Sequence, residues 1–241
     1  MAIFTRFGLQ GAFTIAHVIV GIMWMGLLWF FNFVQTPAYA EMDGAARNNA
    51  FDKLTWRALW WFRWAAAATV AFGVIIIGVA PKDTFGGDFW KSTAGVTLLI
   101  GILFGITMLY NVWMVIWPNQ QIVMRSAEQV ATGGQAVPEA AARGARAGVA
   151  SRTNTMLSIP MLFFMGAASH LGMANPATGG AKWGALILLA VVIILVEVNA
   201  LVGPAAPASG GKKILATLSG TFWAGFILTA ILYVVLAMLF G

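Results

Sequence analysis

Six stretches of the chain are apolar, and polar residues collect between them. A hydrocarbon core of about 30 Å takes about 20 helical residues to cross. On that measure the pattern predicts spans near 10–34, 58–80, 93–117, 154–174, 183–203 and 214–240. The expected fold class is an all-α integral membrane protein, a six-transmembrane-helix bundle forming one membrane domain over 1–241. Ala45 to Arg57 holds no helix breaker, so the second helix is expected to begin before its apolar part. The 119–151 stretch reads as two short surface helices broken at Gly133-Gly134, with Pro138 and Glu139 opening the second. Residues 204–211 read as a plain linker. Gly101-x-x-x-Gly105 and Gly220-x-x-x-Ala224 allow close helix approach. Pro160 should bend the fourth span and free the carbonyl of Met156.

Composition strengthens this picture. Only 9% of the 241 residues are charged and 60% are hydrophobic, where a soluble domain carries roughly 25% charged residues. Eleven tryptophans suit a chain with two membrane interfaces. A net charge of +6 in a soluble protein would suggest nucleic acid. Here the cations lie mostly between spans, so they read as topology signals and lipid-headgroup contacts, and nucleic acid is not an expected partner. Nine of them (Arg47, Lys53, Arg57, Arg125, Arg143, Arg146, Arg152, Lys212, Lys213) fall on one side of the predicted bundle. Four (Arg6, Lys82, Lys91, Lys182) fall on the other. The positive-inside rule places both termini outside, in the periplasm of a bacterial inner membrane. Arg63 sits inside the second span beside Trp56, Trp60, Trp61 and Trp64, where it can snorkel to headgroups. The first apolar run is too long for a signal peptide and reads as a retained helix.

The chemistry to weigh is intramembrane. The chain has two histidines and no cysteine. The missing cysteine excludes disulfides, thiolate metal sites and a covalently attached haem. His17 lies a few residues into the first span and His170 a few before the end of the fourth. The alternation of spans puts both in the outer leaflet at similar depth. Two imidazoles at one level on different helices are what a b-type haem needs, with small residues beside them. Gly21 and Trp24 then belong to the candidate cofactor site, Gly21 as room for a flat macrocycle and Trp24, Met23, Phe163 and Phe164 as walls. The plainer alternative is that each histidine hydrogen-bonds a neighbouring helix. A metal other than haem iron would find an incomplete shell.

Glu197 is the one acid deep in a predicted span. A carboxyl there is expected to be neutral or paired. Proton uptake, contact with a substrate, or a hydrogen bond to Asn199, Asn111 or Arg63 that fixes helix register are all open. Asn32 and Gln35 lie toward the same side and would extend a polar half-channel.

Several stretches resemble the urate oxidase N-terminal, or PuuD-like, membrane domain family. They are His17-Val-Ile-Val-Gly21-Ile-Met-Trp24-Met-Gly26, Phe30-Phe31-Asn32-Phe33-Val34-Gln35-Thr36-Pro37, Ala58-Leu-Trp60-Trp61-Phe62-Arg63-Trp64, Asn111-Val-Trp113 with Ile116-Trp117-Pro118-Asn119-Gln120, and Ser151-Arg152-Thr153-Asn154-Thr155 with Ser158-Ile159-Pro160-Met161. The resemblance implies a multi-span redox domain, followed in full-length members by a c-type cytochrome domain, that oxidises urate and passes electrons to the respiratory chain. This sequence has no C-x-x-C-H, so a cytochrome would be a separate partner. The His-x-x-x-Gly-x-x-Trp pattern is similar to that of other membrane families with a first-helix histidine, among them haem-binding protoporphyrinogen oxidases, and so favours haem b at His17.

The expected function is therefore a redox-linked membrane protein, an oxidoreductase or a subunit of one, that serves a c-type cytochrome or respiratory complex. The alternatives are a cofactor-free accessory subunit of a larger complex and a small-solute transporter using Glu197, Asn199, Asn111 and Asn32.

Overall fold

The structure is a computed structural model, and it describes residues 4–171, 176–177, 179–206 and 208–240. Six long helices carry the chain: α1 (Arg6–Glu41), α2 (Gly44–Val79), α3 (Thr93–Ala131), α4 (Ala140–His170), α5 (Gly179–Leu201) and α6 (Leu218–Phe240). A single helical turn, Lys212–Leu215, sits between the last two. Residues 172–174, the end of the fourth predicted span, lie outside the described residues. All of these helices except α4 and the short turn are long and apolar enough to cross a membrane.

The first three helices overrun their apolar stretches. With 36, 36 and 39 residues, each is over 50 Å long at about 1.5 Å per residue. Only Met42 and Asp43 separate α1 from α2, and the Asp43 carboxylate caps α2 by accepting from the Ala46 amide at 2.8 Å. The two short surface helices expected within 119–151 are instead the continuations of α3 and α4, parted around Gly133-Gly134. No breaker lies between Asn119 and that pair, so α3 keeps going.

Pro37 and Pro118 do not stop these helices. A proline removes one amide donor and its ring crowds the carbonyl four residues back. The backbone answers with a wider π-helical turn just before each, Phe30–Gln35 and Asn111–Ile116. A third π segment, Phe51–Thr55, lies within α2 and has no proline after it.

α4 is the centre of the bundle. Residues Thr153 to Met161 are buried without interruption, on every face of the helix. It packs on α3 and α6 most extensively and also touches α1 and α5. A helix enclosed by other helices can carry Thr153, Asn154, Thr155 and Ser158, because neighbours rather than lipid satisfy them. That is why its composition is too polar for a lipid-facing span.

Two glycines seat its partners. A Cβ on Gly101 would lie 3.0 Å from the Met165 amide nitrogen, so α3 approaches the α4 backbone there. Gly220 does not serve packing between helices; a Cβ there would strike the carbonyl of Ile214 in the preceding turn. The glycine that seats α6 is Gly225, where a Cβ would lie 2.7 Å from the Met156 carbonyl. Pro160 leaves that carbonyl without its amide donor four residues on, and α6 fills the notch.

Candidate functional site

His17 faces α2. Its Nδ1 lies 2.8 Å from the backbone carbonyl of Thr69. A carbonyl only accepts, so Nδ1 carries the proton and Nε2 keeps its lone pair. Thr69 turns its own hydroxyl back to Ala65 at 2.7 Å. The imidazole rests against Gly73, where a Cβ would sit 3.3 Å from Cε1. Gly21, one turn along α1, is on the same face; a Cβ there would be 3.8 Å from the Thr69 methyl. Its smallness therefore serves the approach of α1 to α2. Trp24 follows on that face and is fully buried in the core.

His170 ends α4 and is exposed. Its Nδ1 lies 2.8 Å from the Gly166 carbonyl of its own helix and 3.0 Å from the Ser169 hydroxyl. Here too a carbonyl acceptor puts a proton on Nδ1.

The two histidines share a level. Trp29 Nε1 donates to the Ser158 hydroxyl at 3.1 Å, and Asn32 Nδ2 donates to the Ser151 hydroxyl at 2.8 Å, so α1 and α4 run antiparallel. His17 precedes Trp29 by twelve residues and His170 follows Ser158 by twelve. They do not share a face. Twelve residues is a third of a turn beyond whole turns, which rotates each ring off the α1–α4 contact, to opposite sides in antiparallel helices. His17 turns to α2. His170 lies on the side of Phe163, which packs edge-on against Tyr233 of α6 at 5.7 Å. Phe164 is fully buried in the core. As placed, the two imidazoles do not bracket one macrocycle. Both rings tie Nδ1–H to a carbonyl, as an axial ligand needs, but only His17 does so between two helices of the bundle. Among the described residues, no group of three His, Cys, Asp or Glu side chains could hold a metal ion.

A second polar centre lies toward the other end. Asn111 opens the π segment of α3 and is fully buried. Its Nδ2 donates to Asn154 Oδ1 at 3.0 Å and to Glu197 Oε1 at 2.9 Å. Asn154 Nδ2 donates in turn to the Met108 carbonyl at 2.9 Å. Three helices meet at one amide. Glu197 Oε2 and Asn111 Oδ1 are both buried with no hydrogen-bond partner.

Of the partners expected for Glu197, the structure brings Asn111. Asn199 packs on the linker, where a Cβ on Gly211 would lie 2.5 Å from its Oδ1. The Arg63 guanidinium sits over Trp117, 3.8 Å from the ring centroid, with Trp113 at 5.4 Å. Asn32 joins α1 to Ser151 and takes no part in the Glu197 centre. Sequence reasoning missed Asn154 as a member of that centre, and Thr69 and Gly73 as the setting of His17. The signal for Asn154 was the spacing Ser151, Asn154, Ser158, a polar stripe at helical period.

No curated protein and no solved structure matches the chain. The family described as urate oxidase N-terminal matches residues 63–236. The matched part contains Asn111, Asn154, His170 and Glu197, while His17 lies before it. With that much of its length matched, the chain belongs to the urate oxidase N-terminal family.

Proposed function

We propose that this protein is a redox-linked, multi-pass protein of a bacterial inner membrane that holds haem b on His17 and hands electrons to a c-type cytochrome or respiratory complex. The observation that carries the reading is the His17 hydrogen bond to Thr69, which fixes the tautomer of an intramembrane imidazole and leaves Nε2 as a ligand. Family membership supports a role near urate oxidation. A haem there would supply one-electron chemistry at iron. The chain itself orients the imidazole through Thr69 and makes room for it at Gly73.

In this reading α4 crosses the membrane with the other five helices, as a span shielded from lipid. The nine cations at the end bearing the α1–α2 turn face the cytoplasm, and both termini face the periplasm. His17 then sits near the outer surface, within reach of a periplasmic electron partner. His170 is the candidate second ligand, which requires a turn of one helix face.

The test is a reduced-minus-oxidised spectrum of the detergent-purified protein with a pyridine haemochromogen assay. A b-type spectrum lost in His17→Ala is the expected result. Loss in His170→Ala as well makes the pair bis-histidine. A featureless spectrum from folded protein overturns the reading and leaves a cofactor-free accessory subunit, to be sought by co-purification.

A further inference from the structure

We propose that Glu197 is a reversible proton-binding group inside the bundle, with Asn111 as the residue that reads its protonation state. The inference stands whether or not His17 carries a redox group.

The argument begins with where the acids are. The chain has eight acidic residues. Seven of them, Glu41, Asp43, Asp52, Asp83, Asp88, Glu128 and Glu139, are exposed, and Glu197 alone is drawn into the bundle. It sits one turn before the end of α5 at Leu201. Among the described residues no cation stands within ion-pair distance of it; the two ion pairs are Lys91–Asp88 and Arg143–Glu139, both on the surface. The helices packed on α5 are α3, α4 and α6. Asn111 of α3 meets Glu197 and is itself bonded to Asn154 of α4, and the only titratable residue on α6 is Tyr233, which packs on Phe163. The cations nearest in sequence and fold are committed elsewhere. Arg146 donates to the carbonyls of Leu201 and Gly203, and Lys212 to those of Val202 and Pro204. These two cap the end of α5 and leave the carboxyl to Asn111.

Donor and acceptor arithmetic then points to a proton. Asn111 spends its Nδ2 on Asn154 and Glu197 and has an unpartnered Oδ1. Glu197 has an unpartnered Oε2. Two residues already bonded to each other thus hold two spare acceptors and no spare donor. One proton on the carboxyl turns an acceptor into the missing donor. The ionised form keeps the Asn111 N–H bond at 2.9 Å and leaves two acceptors spare, while the protonated form can use both, so the site has a place for either state. The switch also has something to move. Asn111 opens a π turn, and the Asn154 amide reaches across to the Met108 carbonyl just before it. The Asn111 amide reorients when its carboxyl partner changes from acceptor to donor, and Asn154, bonded to Asn111, follows.

The test uses the full chain in proteoliposomes. An infrared difference spectrum between acidic and alkaline buffer should show a carboxylic C=O band that is lost in Glu197→Gln and shifted in Asn111→Ala. On the native chain, dicyclohexylcarbodiimide, which reacts with protonated carboxyls in apolar surroundings, should modify Glu197 in acid and fail to in alkali, read by peptide mass. A carboxyl band that is the same in folded Glu197→Gln as in the native chain overturns the proposal. So does carbodiimide labelling of Glu197 that is absent at every pH or independent of pH. The labelling needs no variant, so a Glu197→Gln chain that fails to fold leaves the inference open to refutation.

Discussion

The two ends of the bundle treat an intramembrane polar group in opposite ways. At one end His17 hangs on a single bond to a backbone carbonyl between two helices, and His170 bonds only its own helix end. At the other, Asn111 ties α3, α4 and α5 through side chains alone. A backbone carbonyl is indifferent to the side chain beside it, so the histidine end is free to change chemistry without changing fold. The Asn111 centre is a set of mutual obligations, in which each member is satisfied only if the others are present.

Substitutions can break or sharpen that contrast. The largest loss is expected from Gly225→Leu, whose side chain would enter the Met156 carbonyl and Ile159. Overpacking against backbone costs about 3 kcal/mol or more, and no monodisperse folded protein should be recovered by gel filtration in detergent. Asn111→Leu comes next, because it orphans an acceptor on Glu197 and another on Asn154. At about 1–3 kcal/mol for each orphaned group, the detergent melting temperature should fall clearly. The double variant Asn111→Leu with Glu197→Leu should recover part of it, since removing both partners costs less than removing one. His17→Ala should cost only about 0.5–1.5 kcal/mol for one net hydrogen bond while abolishing any haem absorbance. Smallest of all, His170→Ala should change stability by no more than about 0.5 kcal/mol, read as a nearly unmoved melting temperature. If His170→Ala proved as damaging as Asn111→Leu, the contrast between the ends would be gone.

Much of this fold is legible in the sequence, and the gaps have physical causes. The six apolar stretches locate the helices, because lipid or helix contact demands about 20 apolar residues whatever the neighbours do. The overhangs of α1 to α3 were less legible. Gln35 and Trp117 end the apolar signal, and Pro37 and Pro118 look like stops until a π turn absorbs them. The level of the two histidines follows from counting residues along helices of alternating direction, and the Trp29–Ser158 pair agrees with that count. Their faces do not follow from counting. Which way His17 points depends on α1 choosing α2 as its main partner, and no periodicity in a nearly all-apolar helix announces that choice. Glu197 was legible as an oddity and Asn111 as one of three possible partners. Asn154 was hidden in a helix whose polarity makes sense only once it is known to be enclosed.

The closeness of Gly73 to the imidazole has a consequence for how this protein can diverge. At 3.3 Å from Cε1, a methyl at position 73 already presses on the ring of His17. The two positions, more than fifty residues apart in the chain, are therefore one unit of inheritance. Descendants that keep the histidine should keep the glycine, and a lineage that loses the histidine is released to fill position 73. A collection of diverged sequences should show the pair lost in that order, imidazole first and glycine afterwards.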